Sequence, residues 1–220
     1  MHSTFKKTLV SSAVTGALLV GTAGFSTAQA ELEFNVGVFT DYILYGKTES
    51  GNNAVVQGGI DWGHESGFYL GTWASTLGDG EGQEVDFYAG YAFEAGGLDV
   101  DLGYIYYYYP GENSPLDDFG DIFVTVGSGP LYATLKYTIH DSDAEGSYFA
   151  WVGGDVEVMP SISLNGELGR ADLDDGPSWT FWSLGLTKST GMGDISFTYA
   201  QNNDDEGDDP LFVVGYSLSF

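Results

Sequence analysis

The chain has no cysteine, only six prolines, and six lysines and arginines against 32 aspartates and glutamates in 220 residues. Without cysteine there is no disulfide framework, no thiol nucleophile and no thiolate zinc site. A formal net charge of −26 leaves too few cations to neutralise a polyphosphate, which excludes nucleic acid as a partner. Beyond its first 30 residues the chain also lacks any uninterrupted apolar run near the ~20 residues that a membrane-spanning helix needs. What it has is a 43% hydrophobic fraction with 15% aromatics, far too rich for a disordered acidic chain. Such a chain folds.

Residues 1–30 read as an export signal. Lys6 and Lys7 form a short positive region, residues 9–25 an apolar core, and Ala28-Gln29-Ala30 a small-residue cleavage site. Cleavage after Ala30 is predicted, which leaves residues 31–220 as one domain beyond the inner membrane.

The remainder alternates with period two. In 131–139 one parity reads Leu, Ala, Leu, Tyr, Ile and the other Tyr, Thr, Lys, Thr, a strand with one apolar face. The same pattern recurs in 32–40, 54–62, 68–76, 85–93, 98–108, 122–126, 148–158, 162–168, 179–188, 195–199 and 212–220, giving 12 strands and no room for a helical layer. Short Gly, Pro and Ser turns at 64–67, 94–97, 127–130, 159–161 and 191–194 alternate with longer connections at 46–53, 77–84, 110–118, 140–146, 171–178 and 202–210. Every long connection after the first carries three or more carboxylates.

An even strand count with short turns at one end and long loops at the other is the layout of an outer-membrane barrel. A soluble sandwich shows similar alternation, but three features separate the two. One is the export signal. Another is the ending Tyr216-x-Leu218-x-Phe220, which resembles the C-terminal signal that the barrel assembly machinery reads. The third is the placement of Tyr104, Tyr106, Tyr107, Tyr108 and Tyr109, with Trp62, Phe68, Tyr69, Phe93, Trp179 and Trp182, near strand ends, where interfacial girdles belong. The expected fold is an all-β, transmembrane, antiparallel up-and-down barrel of about 12 strands.

Asn35-Val36, Thr40-Asp41-Tyr42, Tyr45-Gly46, 54–59, Asp61, 66–69 and 71–75 resemble the opening of the TorF-type porin family. Leu102-Gly103-Tyr104-Ile105-Tyr106-Tyr107 with Tyr109-Pro110-Gly111 resembles that family's tyrosine-rich strand and turn, and the final strand fits as well. The resemblance implies an outer-membrane channel. Where family members often carry arginine after Thr-Asp-Tyr, this chain reads Ile43-Leu44-Tyr45-Gly46, with Lys47 the only nearby cation.

If the apolar parity faces lipid, Glu33, Asp41, Asp61, Asp86, Asp99, Asp101, Asp121, Asp155, Glu157 and Glu167 point inward, and Lys136 is the one basic residue among them. A lumen of that kind concentrates cations and repels anions. The alternative is that these carboxylates pair with Lys136 or with tyrosine hydroxyls in a plugged lumen. Twelve strands enclose more than a filled eight-stranded barrel and less than a 16-stranded porin, so a narrow pore is expected.

The loop acids Asp141, Asp143, Glu145, Asp204, Asp205, Asp208 and Asp209 supply oxygen ligands suited to a hard divalent cation such as calcium, although none matches an EF-hand. Simple solvation in a saline medium explains the same runs. His140 stands beside Asp141 and Ser142, but neighbours entering a loop point to different faces, so no enzyme is expected. No cofactor is implied. The expected function is a passive outer-membrane channel for small cations or neutral solutes, with lipid, lipopolysaccharide and the assembly machinery as partners. The alternative is a non-conducting surface barrel whose acidic loops bind divalent cations or a partner.

Overall fold

The structure is a computed structural model and describes residues 31–78, 82–110, 119–140, 144–205 and 207–220. Its strands are β1 (Glu31–Phe39), the short β2 (Ile43–Leu44) and β3 (Lys47–Thr48), β4 (Val55–Gly63), β5 (Phe68–Thr76), β6 (Gln83–Ala95) and β7 (Leu98–Tyr108). They continue as β8 (Phe119–Ser128), β9 (Leu131–His140), β10 (Tyr148–Met159), β11 (Ile162–Asp172), β12 (Ser178–Thr190), β13 (Gly193–Asn202) and β14 (Leu211–Ser219). The described residues contain no helix.

All strands but β2 and β3 form one closed antiparallel barrel in chain order, so the expected fold class is the observed one. Each strand pairs with its sequence neighbours, and β1 closes the ring against β14 from Asn35↔Ser219 to Phe39↔Gly215. Beyond the last strand, Phe34 and Phe220 exchange backbone hydrogen bonds at 3.0 Å in both directions, and their rings stack. Closure removes the free edges that an open sheet would present.

The pleat sorts the side chains by parity. Leu135, Val152, Leu168, Leu184 and Phe197 face outward and are about half exposed, while the alternate residues face the lumen. Outward-facing charges on the strands stay at the two ends, with Arg170 and Asp172 at the loop end and Lys188 at the turn end. An apolar belt of this kind is what a bilayer requires of a barrel. The turns are tight: Ala95 pairs with Leu98 across Gly96 and Gly97, whose φ values of 63° and 82° make the left-handed two-residue turn that matches strand twist.

Two expectations need correction. The first long connection does not lie outside the barrel with the acidic loops. It folds inward as the β2–β3 hairpin, and Tyr42, Ile43 and Ser50 are buried. The physical reason is its composition, Tyr-Ile-Leu-Tyr with carboxylates only at Asp41 and Glu49, the former satisfied by the loop's own Thr48 and Ser50 hydroxyls, so that the segment gains more from apolar burial than from water. The aromatic residues also divide. Trp62, Phe68, Phe93, Tyr108 and Trp182 face outward, but Tyr69, Tyr107 and Trp179 point into the lumen and are buried there. Strand parity decides this, not nearness to a strand end.

Candidate functional site

The lumen wall is built from a repeated three-strand unit. Tyr88 on β6 stands directly opposite Gly71 on β5, which stands opposite Asp61 on β4, and the Tyr88 hydroxyl donates to the Asp61 carboxylate. Tyr132 on β9 faces Gly153 on β10, which faces Glu167 on β11, and the Tyr132 hydroxyl donates to Glu167. Tyr69 on β5 faces Gly90 on β6 and reaches Asp101 on β7 at 2.8 Å. In each unit the middle strand offers hydrogen where a side chain would stand, so the ring lies flat along the wall and its hydroxyl bonds an acid two strands away. A Cβ on Gly153 would sit 2.5 Å from Tyr132 Cζ, inside any contact that real atoms make. Gly153→Ala is therefore expected to destabilise the barrel by about 1–3 kcal/mol through overpacking and loss of the Glu167 bond. Gly127→Ala, whose Cβ would meet nothing closer than 3.6 Å, is expected to be near neutral, and urea unfolding of refolded protein in micelles distinguishes the two.

At mid-lumen Lys136 donates to the Tyr107 hydroxyl at 2.6 Å and lies 3.4 Å from Asp121, which also accepts from Thr138 at 2.7 Å. Lys136, Asp121 and Thr138 are all buried. Nearby, Glu84 accepts from Tyr42 at 2.9 Å and from Tyr109 at 2.8 Å, one oxygen each. These charges survive burial because each has a partner of complementary chemistry, whereas Asp86, buried opposite Tyr107, leaves its Oδ1 without a hydrogen bond.

The hairpin closes the loop end over this layer. Leu44 and Lys47 pair across Tyr45 and Gly46, whose φ values of 51° and 77° again form a left-handed two-residue turn. The Tyr45 ring stacks on Phe149 with centroids 4.3 Å apart, and Phe181 and Trp151 flank it. Trp179 Nε1 donates to the Tyr45 carbonyl at 2.9 Å and Asn202 Nδ2 to the Gly46 carbonyl at 2.7 Å. Lys47 pairs with Asp204 and sits 3.9 Å above the Trp179 ring. Within the hairpin, Thr48 and Ser50 hydroxyls meet Asp41 Oδ1 at 2.6 and 2.7 Å.

The turn end is different. There Glu33, Asp61, Asp99, Asp155, Glu157 and Asp194 face inward and are half-buried or exposed, and no lysine or arginine among the described residues faces them. The lumen is thus an acidic vestibule at one end and an aromatic plug at the other. Of the residues singled out by parity, Asp61, Asp86, Asp99, Asp101, Asp121, Lys136, Asp155 and Glu167 lie on inward-facing strand positions. Glu33 and Glu157 stand at the turn-end rim, where Glu157 accepts from the Ser161 amide at 3.0 Å. Asp41 lies off the strands, inside the folded loop.

Among the loop acids, Asp204 faces Lys47, and Glu145, Asp205, Asp208 and Asp209 are described at the surface, while Asp141 and Asp143 lie outside the described residues. No three His, Asp or Glu side chains among the described residues come together as a metal site. His140 bonds the Tyr104 hydroxyl at 2.6 Å on the outer face. Sequence reasoning missed Tyr42, Tyr45 and Glu84. Glu84 was within reach, since it continues the inward parity of Asp86 by one more step.

A family of bacterial proteins of unknown function, Gcw_chp, matches residues 23–216. The chain belongs to that family. No curated protein matches this Gcw_chp member in sequence. Solved structures share its fold. It is similar to KdgM porin, with a TM-score of 0.59 at 8% identity over 86% of this chain and 98% of the other. KdgM porin in complex with disordered oligogalacturonate gives 0.59 at 10% identity over 87% and 99%, and NanC porin 0.55 at 12% over 86% and 98%. At such identities the likeness concerns the barrel alone, and the lumen of this Gcw_chp chain has to be read from its own residues.

Proposed function

We propose that this protein is an outer-membrane channel for passive diffusion of small solutes, with a preference for cations, and that it carries out no chemistry of its own. The observation that carries the reading is the acidic vestibule, a water-facing set of carboxylates on a closed barrel whose outer belt is apolar. Carboxylate rings in a low-dielectric wall concentrate cations and repel anions. KdgM and NanC are porins, and the shared 12-stranded architecture supports the same broad class here. The TorF-type resemblance points the same way. On this reading residues 1–30 are removed on export, the short turns face the periplasm and the acidic loops face the medium and its lipopolysaccharide. Tyr216 and Leu218, both turned outward, with Phe220, would then present the ending that the assembly machinery reads.

The test is a planar bilayer holding the chain from Glu31 onward under a KCl gradient. A reversal potential of cation-selective sign is expected, and Asp99→Asn with Asp155→Asn is expected to move it toward zero. An anion-selective sign would sink the vestibule argument.

One observation favours a second reading, a surface barrel that does not conduct. Asp61, Asp101, Glu84, Glu167 and Asp121 are each bonded to a hydroxyl or to Lys136, and the hairpin fills the loop end. In that case the acidic loops act by binding divalent cations or a partner, and no ionic current passes under any condition. Calcium would then raise the unfolding temperature in a way that survives moderate NaCl.

A further inference from the structure

The hairpin tip places a tyrosine where the turn does not ask for one. A left-handed two-residue turn favours Asn-Gly, Asp-Gly or Gly-Gly, and a bulky aromatic side chain at positive φ is disfavoured. Tyr45 nevertheless holds φ 51° there. The contacts that latch the tip, from Trp179 and Asn202, go to backbone carbonyls and would be made by any residue. What the tyrosine adds is its ring, and the barrel supplies a seat for it. Phe149 stacks beneath at 4.3 Å with planes 12° apart, and Phe181 and Trp151 wall the sides at 5.3 and 5.9 Å. The Lys136 ammonium lies 5.2 Å from the ring centroid. A small cavity lies alongside, bounded by Leu44, Trp151, Glu167, Phe181 and Ser183, so packing around the seat is not complete.

We propose that this seat is a binding site for a neutral aromatic solute, for which a simple phenol serves as the probe, and that Tyr45 occupies it as a built-in mimic. The seat itself selects the class. Its stacked wall takes a flat ring in preference to a puckered one. Lys136 beside the ring disfavours a cationic aromatic, and the acidic lumen on the approach disfavours an anionic one. Ring and ligand cannot share the seat, so a bound phenol holds the hairpin away from the wall and binding shifts the closed and released populations. The inference extends the channel reading by naming a solute and what moves the plug, but neither readout below depends on ionic current.

The chain has no cysteine, so Ile43→Cys places a single thiol on the buried face of the hairpin, where a water-soluble maleimide reaches it only on release. With the folded protein in micelles, p-cresol is expected to speed labelling by about tenfold and to saturate, and 4-methylcyclohexanol, which carries the same groups on a puckered ring, is expected to leave the rate unchanged. In calorimetry, Tyr45→Ala is expected to bind p-cresol one to one and about tenfold more tightly than the native chain, because the competitor is gone. An unchanged labelling rate, equal acceleration by both probes, or no heat with Tyr45→Ala would each overturn the proposal. If Ile43→Cys does not fold, the calorimetric comparison decides alone. A barrel that binds p-cresol yet passes no ions would refute the channel and leave the site standing.

Discussion

A hairpin fixed to the wall is expected to hold the channel at its lowest conductance, and a barrel without the hairpin to conduct several-fold more. The first arm joins the tip to β13. A Cβ on Gly46 would lie 3.1 Å from Asn202 Cβ, a little under the span of a disulfide, but also 2.9 Å from the Gln201 carbonyl oxygen and at φ 77°, so Gly46→Cys with Asn202→Cys closes with local backbone strain and its oxidation is checked first by loss of free thiol. Oxidised, the pair ties the tip to β13 by a covalent bond in place of the Asn202 hydrogen bond. Single-channel recordings should show few and small openings until dithiothreitol is added, and then recover. In the second arm a Gly-Ser segment replaces residues 42–49, which removes the Tyr42 contact with Glu84, the Tyr45 stack and the Lys47 pair with Asp204 together. Because the narrowest stretch of a path dominates its resistance, losing the plug should outweigh any change in the vestibule. If excision leaves conductance unchanged, ions do not pass the hairpin, and the loop is a structural strut.

The largest loss of stability is expected from Lys136→Met. The methionine fills most of the lysine's volume but leaves Asp121, buried with it, without its counter-charge and keeps only the Thr138 hydroxyl as partner. Breaking a buried pair from one side costs about 3–5 kcal/mol, because the surviving charge stays in a poorly solvated place. Adding Asp121→Asn removes that charge and should recover much of the loss, the remainder being the Lys136 charge also taken from buried Glu84 and Asp86. The coupling from the full cycle, measured by urea unfolding of the folded barrel in micelles, is the quantity to compare. Additive losses would mean that water reaches the pair and screens it. Such a result would also weaken the picture of a tightly filled mid-lumen.

The strands were legible because a barrel imposes one rule on every residue, lipid or lumen by parity, and Leu131 through Ile139 state it plainly. The closing strand was legible for the same reason. Two things were not. The inward loop required weighing a connection by its own composition, and the contrast was present: one carboxylate in 46–53 against three or more in each later loop. The tyrosine–glycine–acid units required register, since nothing in the chain says that Tyr132, Gly153 and Glu167 come to lie abreast. Tyr69 shows a lapse of a different kind. Its parity matches Gly71 and Trp73, which face the lumen, and nearness to a strand end was the weaker guide.

The hairpin also sets an order of events. It leaves the wall between β1 and β4, and Tyr42 at its base bonds Glu84 of the first half, yet the groups that hold its tip, Phe149, Trp151, Trp179, Phe181, Asn202 and Asp204, all come from the second half of the chain. The β1–β14 pairing brings those halves into one ring, and it joins the two ends of the sequence. All other neighbouring strands in the ring are consecutive along the barrel and can zip locally, whereas this contact waits for the last residues to arrive. The tip of the plug therefore has no seat until the wall opposite it exists. Growth of the barrel precedes its closing, closing precedes plugging, and the nascent protein passes through an interval in which its lumen is unblocked from end to end.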